Sequence, residues 1–396
     1  NIRRKEWNMN ILVTGAKGFI GKNLIATLNN IRDGKDKSFK INPNFNIFEY
    51  DVDTNPELLE LYCKEADFVY HLAGVNRPEK TEDFMRGNFG FSEDLLYRLE
   101  KYDNTCPVML SSSIQAELDN PYGKSKRAGE DLFFRHGMKT GAKVYVYRFT
   151  NVFGKWCRPN YNSVIATFCH NITHGLPIQV NDPSVNLNLV YIDDVTEELL
   201  RALSGYPSYS DRKFCFVPVT YSVNLGMIAE LLYSFHDSRQ NKSIPDMTEE
   251  GFIKKLYSTY LSYLPENEFS YPLKMNIDER GSFTEFIRTQ DRGQISVNIV
   301  KPGVTKGNHW HHSKNEKFVA VSGKALIQFR RIDSEHVIEY HVSGDRLEVV
   351  DIPVGYTHNI INEGSADLVT IMWCNECFNP EKPDTYYLKV EGDVHG

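Results

Sequence analysis

The chain has 396 residues, 41% of them hydrophobic, and a formal net charge of −7. That length predicts two domains with room for a third, and that composition is enough to bury sizeable cores. No apolar run approaches the ~18–20 residues of a membrane-spanning helix, and the absence of a basic stripe argues against a nucleic-acid partner.

Residues 1–8, ending in Glu6-Trp7-Asn8, carry charges but lack the apolar core of a secretory signal. They read as an expression remnant or a loose extension outside the fold. The seven cysteines are scattered and odd in number, which predicts a reducing, cytoplasmic setting. Cys374 and Cys377 form a lone CxxC. With no second pair and no suitably spaced histidine, it reads as two small side chains at a strand end.

In chain order, residues 10–14 form a short apolar strand, followed at once by Gly15-Ala16-Lys17-Gly18-Phe19-Ile20-Gly21. Residues 19–29 then show helical spacing of Phe19, Ile20, Leu24 and Leu28. In such a strand, turn and helix, Gly15 permits the tight turn, Gly18 lets the backbone approach a pyrophosphate, and Gly21 lets the helix pack on the sheet. Further alternation follows: strand 45–50, helix 56–64, strand 67–72, helix 89–101 and strand 108–112. This order predicts a doubly wound parallel sheet of the Rossmann-like α/β class, with ligand at the strand carboxyl ends. There the chain places Leu72, Ala73 and Gly74, and the Ser111-Ser112-Ser113 run.

Tyr122 and Lys126 are four residues apart, so on a helix they share a face. An ammonium beside a phenol lowers the phenol pKa toward neutrality and makes it a proton donor for a nascent alkoxide. The Ser113 hydroxyl can bond the same oxygen. For the cofactor, Asp51 and Asp53 follow the second strand and lean toward NAD, whereas Arg32, Lys35, Lys37 and Lys40 in the preceding loop suit a 2′-phosphate. Asn151, Lys155, Arg158 and Asn162 are the candidates for a nucleotide diphosphate. Residues 196–260 read mostly as helices, including 197–203 and 225–235, with a short strand over 214–218.

The texture changes near residue 265. Strands at 294–300, 317–321, 325–331, 337–342, 346–352 and 368–372 alternate with glycine turns, which predicts an all-β barrel. His309 and His311 sit two apart on a strand and point to one face. With Glu316 and His358 they form a three-imidazole, one-carboxylate set suited to zinc, with manganese, iron or nickel as alternatives. Asn308, His312 and Lys314 face outward or support that set.

These motifs carry three resemblances. Within a domain expected over 9–264, residues 9 to about 250 resemble the extended short-chain dehydrogenase/reductase family in its nucleotide-sugar branch, through the glycine loop, Tyr122-Gly123-Lys124-Ser125-Lys126, the run from Arg148 to Gly154, and Tyr191-Ile192-Asp193-Asp194. The arginine that relatives often carry before the Asp-Asp turn is missing, with Leu187 and Asn188 in its place. Residues 265–396 resemble cupins through Gly303, His309, His311, Glu316, Gly323 and the Pro353-Val354-Gly355…His358…Asn362 element. They also resemble the 4-keto-6-deoxyglucose epimerases of deoxythymidine-diphosphate sugars, through the run from Asp278 to Glu285 and the run from Lys301 to His309. That second likeness implies a substrate-contacting strand, with Arg280 as the candidate contact, and Lys317 is a further candidate for the substrate. It also implies a base at His309, which conflicts with ligation by the same imidazole and leaves Tyr356, Lys317 or a metal-bound water for the proton.

Together the two halves resemble the bifunctional capsular-polysaccharide enzymes of the CapF type. The resemblance implies NADPH, with NADH as the alternative, and a UDP-sugar substrate. It implies a homo-oligomer and the chemistry of C3 epimerisation followed by C4 reduction. The implied catalytic residues are Ser113, Tyr122 and Lys126. The implied cofactor contacts are Gly15, Lys17, Gly18, Phe19, Ile20, Gly21, Asp51, Leu72, Ala73 and Gly74, together with Tyr122 and Lys126. Two other readings stay open: a dehydratase or epimerase recycling bound NAD, and a cupin whose metal is structural in a dimerisation module.

Overall fold

The computed structural model describes residues 8–78, 80–210, 213–247, 251–381 and 383–391; residues 1–7, read above as a remnant or extension, lie outside them. The chain divides into two compact units. One takes the residues up to Tyr233 together with Lys254–Leu264, and the other takes Ser234–Ile253 and everything from Pro265 on.

In the first unit, β1 (Met9–Thr14), β2 (Phe45–Tyr50), β3 (Phe68–His71), β4 (Val108–Ser113) and β5 (Val144–Phe149) form a parallel sheet in the order β2-β1-β3-β4-β5. Alternate residues of one strand serve opposite faces. Ile11 and Val13 join Tyr70, Met109 and Tyr147 in one core, beneath α1 (Phe19–Arg32) and, later in the chain, a helix over Ile192–Leu203. Leu12 joins Val69, Leu110 and Val146 in the other, beneath α2 (Pro56–Glu65) and the helices that follow β3. Helices on both faces are what near-continuous apolar strands require.

The helix expected over 89–101 is longer and irregular. A short α3 (Glu82–Met85) passes through a π-helical turn at Arg86–Gly90 into α4 (Phe91–Lys101). Helix α5 (Pro121–Thr140) starts on Asn120, whose side chain accepts from the Gly123 N–H at 2.7 Å, with Pro121 in the first turn. It ends at Gly141 with a φ of 77°. Then come β6 (Asn151–Phe153), α6 (Val164–Thr173), β7 (Asn186–Tyr191), α7 (Ile192–Leu203), β8 (Tyr221–Asn224), α8 (Leu225–Asn241) and α9 (Phe252–Leu261). The strand expected over 214–218 is only an isolated bridge from Cys215 to Tyr147 and Tyr209. The regular strand is β8, which pairs with β7.

In the second unit, two antiparallel sheets enclose one core. The first orders β16 (Val350–Ile352), β13 (Glu316–Ser322), β18 (Leu368–Cys374), β11 (Gln294–Val300), β10 (Gly281–Arg288) and β9 (Asn276–Asp278). The second orders β15 (Val337–Ser343), β14 (Lys324–Arg331), β17 (Tyr356–Asn362), β12 (Thr305–Trp310) and β19 (Tyr386–Tyr387). Val300, Phe318 and Leu368 from one sheet meet Ile327, Phe329 and Ile360 from the other. This is the all-β architecture expected of a cupin-like fold. The strand expected over 346–352 shortens to β16, because Leu347 and Val349 are 64% and 59% exposed and find no core to face.

Candidate active site and metal centre

The chain runs β1 to β2 in one direction across the sheet and resumes at β3 on the other side of β1. Ligand crevices in such sheets open at that reversal. Here Gly15, at a φ of 70°, lies so close to the end of β3 that a Cβ on it would stand 2.7 Å from the Ala73 nitrogen. A Cβ on Gly21 would stand 2.2 Å from the Gly15 carbonyl oxygen. The two glycines thus let loop, helix and neighbouring strand converge. Helix α1 starts on Gly18 with no side-chain cap, so its first N–H groups are available to an anion. Phe19 and Ile20 pack against the core and anchor the helix.

The Asp51 carboxylate accepts from the backbone N–H groups of Lys17, at 2.7 Å, and Val52, at 2.8 Å. It is thereby bound into the loop, and the Lys17 ammonium pairs with Asp53. Lys35 pairs with Asp33 at 2.9 Å. At the end of β3, Leu72 N–H donates to the Thr14 carbonyl at 3.1 Å. The Thr14 hydroxyl meets His71 Nδ1 at 2.8 Å, and His71 Nε2 meets the Ser92 hydroxyl at 2.9 Å. Burial, aided by the Lys126 charge, lowers the His71 pKa to about 3, so this ring is a neutral strut.

Ser113 ends β4, Tyr122 and Lys126 lie one turn apart on α5, and the structure brings all three together. The Tyr122 hydroxyl donates to Asn76 Oδ1 at 3.1 Å and shares a hydrogen bond with Ser113. The Lys126 ammonium donates to the Ser111 carbonyl at 3.1 Å and lies 5.8 Å from the centre of the Tyr122 ring. The expected acidification of the phenol by this lysine is not found. Burial raises the Tyr122 pKa, and the Ser113 hydrogen bond is what pulls it back. Burial also brings the Lys126 ammonium down to about 8. Asn76, missed in the sequence, is held by its own loop. There the Asn88 side chain bonds both the N–H and the carbonyl of Val75, each at 2.9 Å. A Cβ on Gly74 would stand 3.1 Å from Lys126 Nζ, so Gly74 borders the same space.

The candidate diphosphate ligands divide. Asn151 donates to the Asn188 carbonyl at 3.2 Å, and Lys155 pairs with Asp193 at 2.7 Å. Arg158 lies over the Tyr161 ring, and Asn162 is exposed on the same loop. Tyr161 is near enough to Tyr122 to act on its titration, which puts this loop beside the phenol.

In the second unit, a bulge at Asn308, whose φ is 59°, offsets β12 against β17. Gly307, at a φ of 100°, lets the strands close, since a Cβ there would stand 2.9 Å from the His358 carbonyl oxygen. The bulge sets His309 opposite His358. His311 follows the end of β12, and Glu316 opens β13. One donor atom from each of these four residues lies within 4.8 Å of every other. Glu316 Oε2 is 3.5 Å from His311 Nε2 and 3.4 Å from His358 Nε2. These three atoms are buried with no hydrogen-bond partner. Burial and the neighbouring imidazoles lower the His309 pKa to about 4. Burial would raise the Glu316 carboxyl, but His311 and His358 hold it well below the usual carboxylate range. Three imidazoles, a carboxylate and converging buried lone pairs are what a divalent transition metal takes, so the residues fit that group.

The cluster forms part of the lining of a cavity of about 820 Å³ that also includes Arg280, Asn298, Lys306, Lys314 and Cys374. Arg280 pairs with Asp278 through Nε at 3.0 Å and Nη2 at 2.6 Å. Lys306, within the run from Lys301 to His309, directs its ammonium to the Ser282 carbonyl, Asn298 Oδ1 and the Ile299 carbonyl at 3.3, 3.0 and 2.9 Å. The three acceptors hold the amine in place, and burial lowers its pKa. Two expectations fail here. Lys317, one residue past Glu316 on a strand, falls on the opposite face and pairs with Asp351. Tyr356 packs against the hydrophobic core. Neither lines the cavity. Lys314, buried in the cavity wall, has its ammonium bonded to the Pro383 carbonyl at 2.7 Å.

Comparison with known proteins agrees with both halves. Residues 11–211 match the NAD dependent epimerase/dehydratase family, and residues 276–386 match a polysaccharide biosynthesis C-terminal domain. The UDP-2-acetamido-2,6-beta-L-arabino-hexul-4-ose reductase of Pseudomonas aeruginosa is 44% identical over 382 residues, spanning 96% of this chain and 99% of that protein. The crystal structure of the capsular polysaccharide assembling protein CapF from Staphylococcus aureus superimposes with a TM-score of 0.88 at 54% identity, over 96% of this chain and all of that one. A UDP-glucuronic acid 4-epimerase from Bacillus cereus in complex with NAD, at 18% identity and a TM-score of 0.50, shares the fold over 64% of this chain. A match over more than half the chain and relatives aligned across both units lead to one assignment: this chain is an enzyme of the NAD dependent epimerase/dehydratase family, of the two-domain CapF type that adds a polysaccharide biosynthesis C-terminal domain.

Proposed function

We propose that the chain converts UDP-2-acetamido-2,6-dideoxy-L-arabino-4-hexulose to UDP-2-acetamido-2,6-dideoxy-L-talose, on the way to UDP-N-acetyl-L-fucosamine. The barrel inverts C3, and the α/β unit then reduces the C4 ketone. One observation carries the reading: a relative aligned over 99% of its own length bears the name of a reductase of that hexulose, and the residues for ketone reduction converge at Tyr122.

The glycine loop would hold NADPH, with NADH as the alternative, which when bound supplies the hydride. Lys17, beside an Asp51 carboxylate already engaged by backbone N–H groups, would turn its ammonium from Asp53 to a 2′-phosphate. At the substrate end, the Tyr122 hydroxyl gives its proton to the C4 oxygen as the ketone becomes an alkoxide. Ser113 bonds the same oxygen and aligns it. Lys126 holds positive charge behind the phenol. Gly74 and the Asn88-anchored loop keep Asn76 against Tyr122, so the proton donor is positioned before substrate arrives. Asn151, Lys155, Arg158 and Asn162 are the ligands proposed for the UDP moiety.

In the barrel, His309, His311, Glu316 and His358 would hold zinc or another divalent transition metal, which when bound polarises a ketone and so acidifies the adjacent C–H. Arg280 and Lys306 present cations to the cavity and suit a diphosphate or a developing enolate. The seven free cysteines fit a reducing cytoplasm, and a homo-oligomer is the assembly to be checked by light scattering.

The test incubates the protein with the 4-keto substrate in D2O, without nucleotide and with NADPH or NADH. Deuterium at C3 without nucleotide, and nucleotide oxidation when it is supplied, is the expected result. Oxidation without exchange would reduce the barrel to a binding module. The absence of both signals would overturn the assignment.

A further inference from the structure

We propose that Asp384 is the positioning residue of the barrel's metal centre, locking His311 in the tautomer and direction that ligation needs; this rests on the metal-binding reading above. Asp384 lies 73 residues from His311 in sequence, yet its backbone carbonyl accepts from His311 Nδ1 at 2.5 Å. That bond assigns the ring proton to Nδ1 and leaves the Nε2 lone pair directed at Glu316 and His358, where Nε2 is buried and has no other partner. Histidine ligands are oriented in just this way by an acceptor on the far ring nitrogen.

What holds the carbonyl there is the residue's own side chain. Asp384 Oδ1 accepts from the His312 N–H at 2.9 Å. Oδ2 accepts from the N–H of Ser313 at 2.8 Å, the N–H of Lys314 at 2.9 Å and the Ser313 hydroxyl at 3.0 Å. One carboxylate therefore gathers three successive amides of the turn that joins His311 to Glu316. The same residue sits at a φ of 42°, a backbone state uncommon for a side-chain-bearing residue and most accessible to Asn and Asp. That conformation aims the carboxylate at the turn while the carbonyl faces the imidazole. Residues on either side fasten the segment: Lys314 Nζ donates to the Pro383 carbonyl at 2.7 Å and to the Thr385 hydroxyl at 3.1 Å. Farther along, Arg330 bonds the carbonyls of Lys389 and Val390, each at 2.8 Å. The segment 383–391 is thus a strap across the metal-bearing strands, and Asp384 is its point of contact with a ligand.

The experiment strips the full-length chain with chelator and titrates it with Co(II) alone, reading affinity by competition and geometry by the visible d–d bands. Wild type is compared with Asp384→Gly, which removes the carboxylate and frees the backbone, and with Asp384→Asn, which tolerates the same φ but loses the charge and one acceptor. Near-UV circular dichroism and a cooperative calorimetric transition of the full-length chain report that the barrel of each variant is folded. The expected result is 10- to 100-fold weaker Co(II) binding and altered d–d bands for Asp384→Gly, with a smaller loss for Asp384→Asn. Two-dimensional 1H–15N spectra of the metal-free protein should show the His311 Nδ1–H signal in wild type and its loss in Asp384→Gly. A mere change in stability would leave that tautomer signal in place. If both variants are folded, bind Co(II) within twofold of wild type and keep the Nδ1–H signal, the inference is overturned. If wild type itself takes up no metal while still catalysing C3 exchange, the metal reading fails and this one with it.

Discussion

Replacing Lys126 with methionine should make the α/β unit more stable at neutral pH while disabling reduction. The ammonium is buried, and its pKa falls from 10.5 to about 8 through burial, with Glu130 opposing the fall. At about 1.4 kcal/mol per pH unit, holding that charge at pH 7 costs about 3 kcal/mol. Methionine fills similar space without the charge, and loses the 3.1 Å bond to the Ser111 carbonyl, worth about 1 kcal/mol. The net gain is about 2 kcal/mol, or a midpoint higher by about 5 °C for a unit of this size. The sign also fixes a pH window. Between pH 8 and 10.5 the unfolded chain holds a proton that the folded chain has released. Wild-type stability therefore rises with pH across that range, and the advantage of methionine shrinks until it is gone above it. Calorimetry of the metal-free, nucleotide-free protein at pH 7 and at pH 10 measures both quantities, and NADPH oxidation measures the loss of activity. A variant less stable than wild type at pH 7, with an unchanged gap at pH 10, would show that Lys126 is satisfied rather than strained, and the argument from burial would be wrong.

Four further outcomes follow from the same geometry. Tyr122→Phe should slow NADPH oxidation by about 10²–10⁴-fold while leaving deuterium exchange at C3 untouched, both read in one D2O incubation. Gly21→Ala would drive a Cβ to 2.2 Å from the Gly15 carbonyl. Weaker NADPH binding by about tenfold or more and a stability loss of about 1–3 kcal/mol are expected from that overpacking, read by nucleotide fluorescence and calorimetry. Glu316→Gln removes the carboxylate between His311 and His358, so metal content by elemental analysis and C3 exchange should fall together, with nucleotide binding unchanged. Lys317→Ala removes an exposed pair with Asp351 worth under about 1 kcal/mol; a drop in C3 exchange of more than threefold would return Lys317 to the substrate.

The features readable in the sequence are those in which the chemistry sits on a regular element. The glycine loop stands between an apolar strand and an amphipathic helix, Tyr122 and Lys126 share the helical spacing of four, and His309 and His311 share a strand's spacing of two. The parts that escaped depend on irregular backbone or on partners distant in the chain. Asn76 reaches Tyr122 only because Asn88, in a π-helical turn, ties down the intervening loop. Cys374 donates its thiol to Glu316 Oε1 at 3.1 Å across paired strands, a role hidden by its place in a CxxC. Asp384 acts through its carbonyl as much as through its side chain, and no pattern of residue types encodes a carbonyl. Lys317 stands one residue past Glu316, and strand alternation turns it to the opposite face, where it pairs with Asp351. Over 346–352 the apolar alternation of Leu347 and Val349 resembles a strand, yet those side chains have nothing to cover and only Val350–Ile352 pairs.

The two halves of the proposed reaction act on one functional group, and that alone dictates their order. A ketone at C4 is what makes the C3 proton acidic. Once Tyr122 has delivered its proton and the carbon has taken hydride, C4 is an alcohol and C3 can no longer exchange. Epimerisation in the barrel is reversible and leaves a mixture; reduction removes one member of that mixture and fixes its configuration. A chain with Tyr122→Phe should therefore accumulate both C3 epimers, each carrying solvent deuterium. A chain with Glu316→Gln should deliver either no alcohol or the alcohol with the original C3 configuration, free of deuterium. The configuration and isotope content at C3 of the product report separately on the two units, without any assumption about how they are arranged.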